Sequence, residues 1–273
     1  MERYETLKIT NRFMFAKVFS HEDVAKDFLQ DVLKITIEKI TVVAEATTEE
    51  DPFHRGVRFD VIARDDSPGS SGIRYFDIEM QMDDTGELPK RARYYQSMCD
   101  LDALAKGAAY DELGAQYIIF ISPKDIFGKG RAIYSFQNRD EADPNIVMGD
   151  LCHKNFYIFK KYKDIKDEAI REYMQYFATQ KCKSKKMKRI HDLVEQYHRD
   201  PFTKKAYMTL EQELKIRYKK GREKGRAEGR EEGRVEGANS TKKELAKAFR
   251  DAGFTVEVIS EKTGLSVAEI KAL

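Results

Sequence analysis

Two acids and an amide within residues 57–81 have the types and spacing for phosphate chemistry. The stretch reads VRFDVIARD, then DSPGSSG, then IRYFDIEMQ, with Asp60 in one apolar run and Glu79 and Gln81, one residue apart, in the next. Side chains alternate across a strand, so Phe76, Ile78, Met80 and Met82 fall on one side and Asp77, Glu79, Gln81 and Asp83 on the other. In the earlier run Val57, Phe59, Val61 and Ala63 share a face, with Arg58, Asp60, Ile62 and Arg64 opposite. If DSPGSSG is a turn that pairs the two runs, Asp60 approaches Glu79 and Gln81. Two convergent carboxylates can hold a hard cation such as Mg²⁺, which keeps several waters and meets phosphate oxygens. The chemistry implied is metal-assisted phosphodiester hydrolysis. An antiparallel pair with one wet face shows the same alternation and has no site, so spacing alone leaves both readings standing.

The elements that must position these residues are legible in outline. Apolar residues at helical spacing in NRFMFAKVFSHEDVAKDFLQDVL (Phe13, Met14, Val18, Phe19, Phe28, Leu29, Val32 and Leu33) predict one or two amphipathic helices. Strands are expected near 37–45, 57–65 and 73–83, followed by a helix near 88–112 and an apolar strand over 115–122. Further strands near 131–137 and 154–160 should extend the sheet, and KDIKDEAIREYMQYFAT predicts a helix packed on it. Arg93, Tyr94 and Tyr95 open the helix after the acidic strand. Arg93 and Tyr94 are candidate contacts to substrate phosphate, against the reading in which Tyr94 or Tyr95 packs into the core.

Composition fits this outline without selecting it. A chain of 273 residues with 41% apolar content can bury one sizeable core and a smaller appendage. No apolar run is long enough to span a bilayer, and MERYETLKITNRF lacks the apolar stretch of a secretory signal, so a cytoplasmic protein without membrane contact is expected. Cys99, Cys152 and Cys182 are odd in number and widely separated, which predicts free thiols. Cys152 beside His153 lacks a second ligand pair at finger-like spacing, and no histidine falls in the acidic hairpin, so neither structural zinc nor a histidine base has support. The net charge of +2 conceals an asymmetry: residues 1–150 hold 19 Lys and Arg against 28 Asp and Glu (−9), and the remainder 30 against 19 (+11). An acidic front half suits a cation site and repels DNA, so the basic half is the expected source of phosphate attraction. Its densest cluster is KCKSKKMKR, with Lys181, Lys183, Lys185, Lys186, Lys188 and Arg189, although a solvated helix face reads the same way.

The pieces NRFMFAKVF, DFLQDVL, VRFDVIA, FDIEMQ, KRARYYQSM, KGAAYDEL and QYIIFIS occur in that order over about the first 125 residues. Together the chain resembles the PD-(D/E)XK nuclease superfamily and, within it, the bacterial recombination-promoting nucleases of transposase type. The resemblance implies that Asp60 is a metal-binding aspartate, Glu79 a second acidic ligand, and Gln81 the position where most of the superfamily has lysine. It implies an Mg²⁺ or Mn²⁺ cofactor, DNA as the partner, and Asp60, Glu79 and Gln81 as the catalytic set. Glutamine is familiar in the subfamily, but a neutral amide offers hydrogen bonds rather than charge, which suggests modest turnover or a second metal ion, with Asp77 an outside candidate ligand. Helix, three strands, helix and strand is also the order of that superfamily's core.

Beyond residue 186 the character changes. Glycines recur at 221, 225, 229, 233 and 237 in KGREKGRAEGREEGRVEG. Each would cost an exposed helix about 1 kcal/mol against alanine, so a flexible or frayed linker is the first expectation; a helix with its glycines on one face toward another helix is the other. The last 33 residues resemble a small helix-turn-helix, with Gly253 and Gly264 as punctuation and Thr255 and Ser266 as caps. Its last helix, SVAEIKAL, has few donors for base edges, so a protein-contact module is as well supported as DNA readout. The expected whole is an α/β protein: a restriction-endonuclease-like mixed sheet flanked by helices over 1–180, a basic helical and glycine-charge linker over 181–240, and a helix-turn-helix-like module over 241–273. Its expected function is that of a divalent-metal-dependent DNA endonuclease linked to recombination or mobile elements. The alternative is a catalytically silent DNA-binding or oligomerisation protein that keeps the fold, with homo-oligomers forming through the C-terminal helices.

Overall fold

A computed structural model describes residues 3–44, 57–66, 72–83 and 86–273. Residues 67–71, most of the expected DSPGSSG turn, lie outside the described residues, as does residue 45 at the end of the first expected strand. The chain divides into two compact units, residues 1–207 and 208–273.

The first unit opens with α1 (Arg12–Phe19) and α2 (Glu22–Leu33). Asn11 caps α1 by accepting from the backbone N–H groups of Phe13 at 3.1 Å and Met14 at 3.5 Å, which leaves Arg12 at the first helical position. Six strands then form one mixed sheet in the order β1-β2-β3-β4-β6-β5. They are β1 (Ile40–Ala44), β2 (Val61–Asp65), β3 (Arg74–Met80), β4 (Gln116–Ser122), β5 (Ile133–Phe136) and β6 (Cys152–Ile158). β3 and β4 run parallel, as do β4 and β6, whereas β1–β2, β2–β3 and β5–β6 are antiparallel. A parallel pair needs a crossover, and α3 (Leu88–Ala103) supplies it between β3 and β4.

Strand alternation sorts the two faces. Ile118, Phe120, Phe156 and Ile158 pack with Leu88, Ala92, Tyr95 and Cys99 of α3, and Asp77 and Glu79 stand on this same side by register. On the opposite side Tyr157 donates from its hydroxyl to the Val32 carbonyl of α2 at 2.9 Å. There a chain of rings, Phe15, Phe19, Phe28, Tyr173 and Phe177, ties α1 and α2 to α4 (Glu168–Thr179). The expected mixed sheet flanked by helices is the architecture observed.

Three local expectations are revised. The helix after the acidic strand ends at Ala103 instead of running to 112, and a short 3-10 turn, Tyr110–Glu112, leads into β4. There Gly114 lies so close to β3 that an added Cβ would stand 1.7 Å from the Ile73 carbonyl oxygen. Second, the alternation drawn through 57–65 breaks at Asp60. The regular strand begins at Val61, whose register with Ile78 places it and Ala63 on the α1–α2 side, while Val57, Phe59 and Ile62 pack toward α3. Third, the glycine repeat is helical: α6 runs unbroken from Pro201 to Asp251.

The first unit also extends past residue 180. α5 (Lys185–Arg199) buries Met187, Ile190, Leu193 and Val194, and Tyr4 donates from its hydroxyl to the Tyr197 carbonyl. An amphipathic helix with an apolar stripe of that width belongs to the core it covers. In the second unit the end of α6, α7 (Val256–Thr263) and α8 (Val267–Lys271) surround Ala246, Ile259, Leu265 and Ile270. Ser266 and Glu269 form a reciprocal capping box at α8, whereas Thr255 makes no side-chain cap bond at α7.

Candidate active site

The break in β2 builds the site. Had the ladder continued, Asp60 would oppose Glu79; instead side chains replace main chain on both strands. The Asp60 backbone N–H donates to Glu79 Oε1 at 2.8 Å, and the Met80 backbone N–H donates to Asp60 Oδ2 at 3.0 Å. Each carboxylate therefore has one oxygen fixed by a backbone N–H and the other turned toward a guanidinium. Arg12, from the start of α1, donates through Nε to Asp60 Oδ1 and through Nη2 to the Arg58 carbonyl at 2.7 Å. Arg91, from the first turn of α3, stands with Nη2 3.7 Å from Glu79 Oε2.

Burial makes this arrangement electrostatically tense. Asp60, Asp77 and Glu79 are each at most 2% exposed, and isolated charge is costly at that depth. Loss of hydration raises Glu79 to about 8, with the nearby Asp60 charge adding to the rise against Arg12 and Arg91. Asp60 is raised from the ordinary carboxylate range for the same first reason, opposed chiefly by Arg12. Asp77 is raised well above its ordinary value: burial, then the charges of Glu79 and Asp60, disfavour its ionised form. Both of its carboxylate oxygens lack a hydrogen-bond partner among the described residues.

Gln81 sits just past β3, where its backbone N–H still donates to the Ile121 carbonyl at 2.9 Å. Its side chain accepts from Arg91 Nη1 at 2.8 Å and donates to the Asp83 carbonyl at 2.7 Å. Arg91 also donates to the Tyr95 hydroxyl at 2.8 Å and lies over the Tyr95 and Phe120 rings, 5.2 and 5.7 Å from their centroids.

Arg93 and Tyr94, the expected phosphate contacts, are exposed on α3, and on the same helix Arg91 and Tyr95, one turn apart, meet beside Glu79. The buried stripe Leu88, Ala92, Tyr95 and Cys99 was the available signal, since position 91 borders it. Arg12 carried no local signal, because its partner is 48 residues away. Lys181, Lys183, Lys185 and Lys188 are exposed. Lys186 pairs with Asp31 at 2.6 Å and Arg189 with Asp23 at 3.1 Å, which ties part of the basic cluster to acids of α2. Exposed pairs of this kind are worth about 0–1 kcal/mol, little enough for a phosphate to displace them.

The donor set fits a hard divalent cation. Carboxylate oxygens are the ligands Mg²⁺ and Mn²⁺ prefer, and the two buried oxygens of Asp77, with no hydrogen-bond partner among the described residues, add unsatisfied acceptors beside the pair. Among the described residues no group of three or more His, Cys, Asp or Glu side chains is arranged to hold a metal. A cation here would rest on Asp60 and Glu79, with water and substrate completing its shell.

Comparison with known proteins bears on family and not on individual residues. No match was found among curated proteins or among solved structures. The profile of the PD-(D/E)XK nuclease family transposases matches residues 10–228, which spans α1, the whole sheet and both arginines of the site. With that coverage, and with the mixed sheet and acid pair in place, the chain belongs to the PD-(D/E)XK nuclease family transposases.

Proposed function

We propose that this protein is a divalent-metal-dependent DNA endonuclease, acting in the cytoplasm in a role tied to DNA recombination or mobile elements. The carrying observation is the cross-bonded pair Asp60 and Glu79, each with one oxygen fixed by a backbone N–H and the other facing a guanidinium whose place a cation would take. Among the described residues no helix is long and apolar enough to cross a membrane, and family membership makes DNA the substrate to test.

Bound Mg²⁺ or Mn²⁺ would neutralise charge on the scissile phosphate and lower the pKa of a water. The chain's own residues do the rest. The Met80 and Asp60 N–H groups hold the two carboxylates, and Asp60 and Glu79 are the residues that would hold the cation. Arg12 is half exposed on its side chain and can swing from Asp60 toward a phosphate oxygen. Glu79, with its preference for a proton near neutral pH, can release that proton as a cation arrives. Exposed Lys181, Lys183, Lys185 and Lys188 supply phosphate attraction.

The test is supercoiled plasmid incubated with purified protein and Mg²⁺, Mn²⁺ or chelator. Nicking that needs the cation and disappears in folded Asp60→Asn and Glu79→Gln variants is the expected result. Equal cleavage by Asp60→Asn would remove the site assignment. A catalytically silent DNA-binding protein is the second reading, favoured by the two arginines already seated on the carboxylates. DNA binding without cleavage under any metal would select it.

A further inference from the structure

We infer that Arg91 is a catalytic residue of the proposed phosphodiester hydrolysis, supplying to the scissile phosphate the positive charge that Gln81 cannot. The inference rests on the nuclease reading above. In that reaction a water oxygen forms a bond to phosphorus while one P–O ester bond breaks. The water gives a proton to solvent and the leaving oxygen takes one from solvent, so one water is consumed per bond. Negative charge grows on the phosphoryl oxygens along the way, and fixed cations or donors aimed at it are the largest single source of rate in such sites.

Only two side-chain cations touch the acid pair among the described residues, and their settings differ. Arg12 has a side chain 50% exposed and is tethered by Asp60 and one carbonyl, so it moves when a metal takes Asp60. Arg91 is held from several directions that a metal would leave intact. Gln81 Oε1 accepts from Nη1, the Tyr95 hydroxyl accepts from Nη2, and the guanidinium lies over the Tyr95 and Phe120 rings. Its contact to Glu79, at 3.7 Å, is longer than these hydrogen bonds. A guanidinium fixed in this way has a donor edge beside Glu79 and its charge preorganised, which is what a planar fork offers a phosphate.

Gln81 then acquires a definite task. Its carbonyl oxygen orients Arg91, and its amide is anchored on the Asp83 carbonyl, so the amide positions a cation that comes from the neighbouring helix. Gln81 is a positioning residue on this account and Arg91 the group that meets the phosphate.

The experiment uses the full chain, supercoiled plasmid with Mg²⁺ for kcat and KM, and calorimetric Mn²⁺ titration as a readout independent of cleavage. Arg91→Met should lower kcat about 10²–10³-fold, with KM changed only severalfold, as for loss of one charged donor to a transition state. Mn²⁺ affinity should stay the same or tighten, since a cation beside the ligands has been removed. Gln81→Lys combined with Arg91→Met should recover at least about tenfold of the lost rate by returning a charge from β3. Arg91→Lys, which keeps charge and much of the packing, should fall between wild type and Arg91→Met, and it decides the matter if Arg91→Met does not fold cooperatively. Wild-type rates in Arg91→Met, or loss of Mn²⁺ binding equal to that of Glu79→Gln, would overturn the inference while leaving the nuclease reading intact. Absence of cleavage by wild type with Mg²⁺ and Mn²⁺ would remove the nuclease reading itself, and Arg91's step with it.

Discussion

Glu79 links stability to pH in a direction opposite to that of an ordinary surface glutamate. In the unfolded chain its proton leaves near 4.5, whereas in the fold burial holds it up to about 8. Between those values the folded protein binds the extra proton, so this group's contribution is full below about 4.5 and is lost as pH rises through about 8. A divalent cation that binds ionised Glu79 offsets that loss. Thermal unfolding with and without Mg²⁺ should therefore show a larger metal-induced rise in Tm at about pH 8.5 than at about pH 5.5. Calorimetry near neutral pH in buffers of different ionisation enthalpy should show protons released on binding. A metal effect independent of pH would contradict a protonated Glu79. At the same scale, Gln81→Ala frees Arg91 from one of its anchors and removes no metal ligand. It should cost about 10–10² in cleavage rate while metal affinity stays within a few-fold, and a loss of Mn²⁺ binding like that of Glu79→Gln would make Gln81 a ligand instead.

Two glycine sites at the level of elements make opposite predictions. Gly114 lies against Ile73 where the chain enters β4, and a Cβ there meets backbone that cannot move without shifting β3. Gly114→Ala should destabilise the first unit by roughly 1–3 kcal/mol, as overpacking does, and denaturant titration would measure it. On α6 the glycines at 221, 225, 229, 233 and 237 have nothing within 4 Å of an added Cβ. Five of them disfavour the helix by about 4–5 kcal/mol, and exposed, solvent-screened pairs such as Lys224 with Glu228 or Glu231 with Arg234 are too weak to offset that. The propensity term wins, so this stretch is the weakest part of α6. Gly225→Ala with Gly229→Ala should raise helical circular dichroism, and hydrogen exchange in wild type should be faster over 221–237 than in the buried helices α2 and α4. Protection equal to that of α2 would show an unaccounted support for the repeat.

For the whole molecule, charge and packing do not divide at the same residue. The basic cluster of 181–189 runs from the approach to α5 into its first turns, and the apolar stripe of α5 is part of the first unit, so a fragment ending at Thr179 strips buried Met187, Ile190, Leu193 and Val194 from the core. Such a fragment should unfold or aggregate, whereas one ending at Tyr207 should melt cooperatively and bind Mn²⁺ as the full chain does. In a Glu79→Gln background that spares substrate, the slope of log affinity against log salt for duplex DNA then reports what residues 208–273 contribute. A shallower slope for the shorter chain is expected, because fewer phosphates are neutralised. An unchanged slope would leave residues 208–273 to partner binding or self-association.

Local pattern determined the chain order of helices and strands and the approach of Asp60 to Glu79, because period-two alternation and the pairing of successive strands are near-neighbour properties, while the resemblance of several pieces in order carried the family. The kink that turns Phe59 toward α3 was illegible, since Val57 through Ala63 alternate without interruption and only competition between two buried faces breaks the pattern. Arg12 and Arg91 were likewise decided by tertiary structure: each comes from a helix whose docking brings a guanidinium to carboxylates distant in sequence. The glycine repeat shows the converse, since its local propensity predicted a linker and the chain is helical there. Charges pair across whatever surfaces packing brings together, and packing of this core depends on contacts that no local window contains.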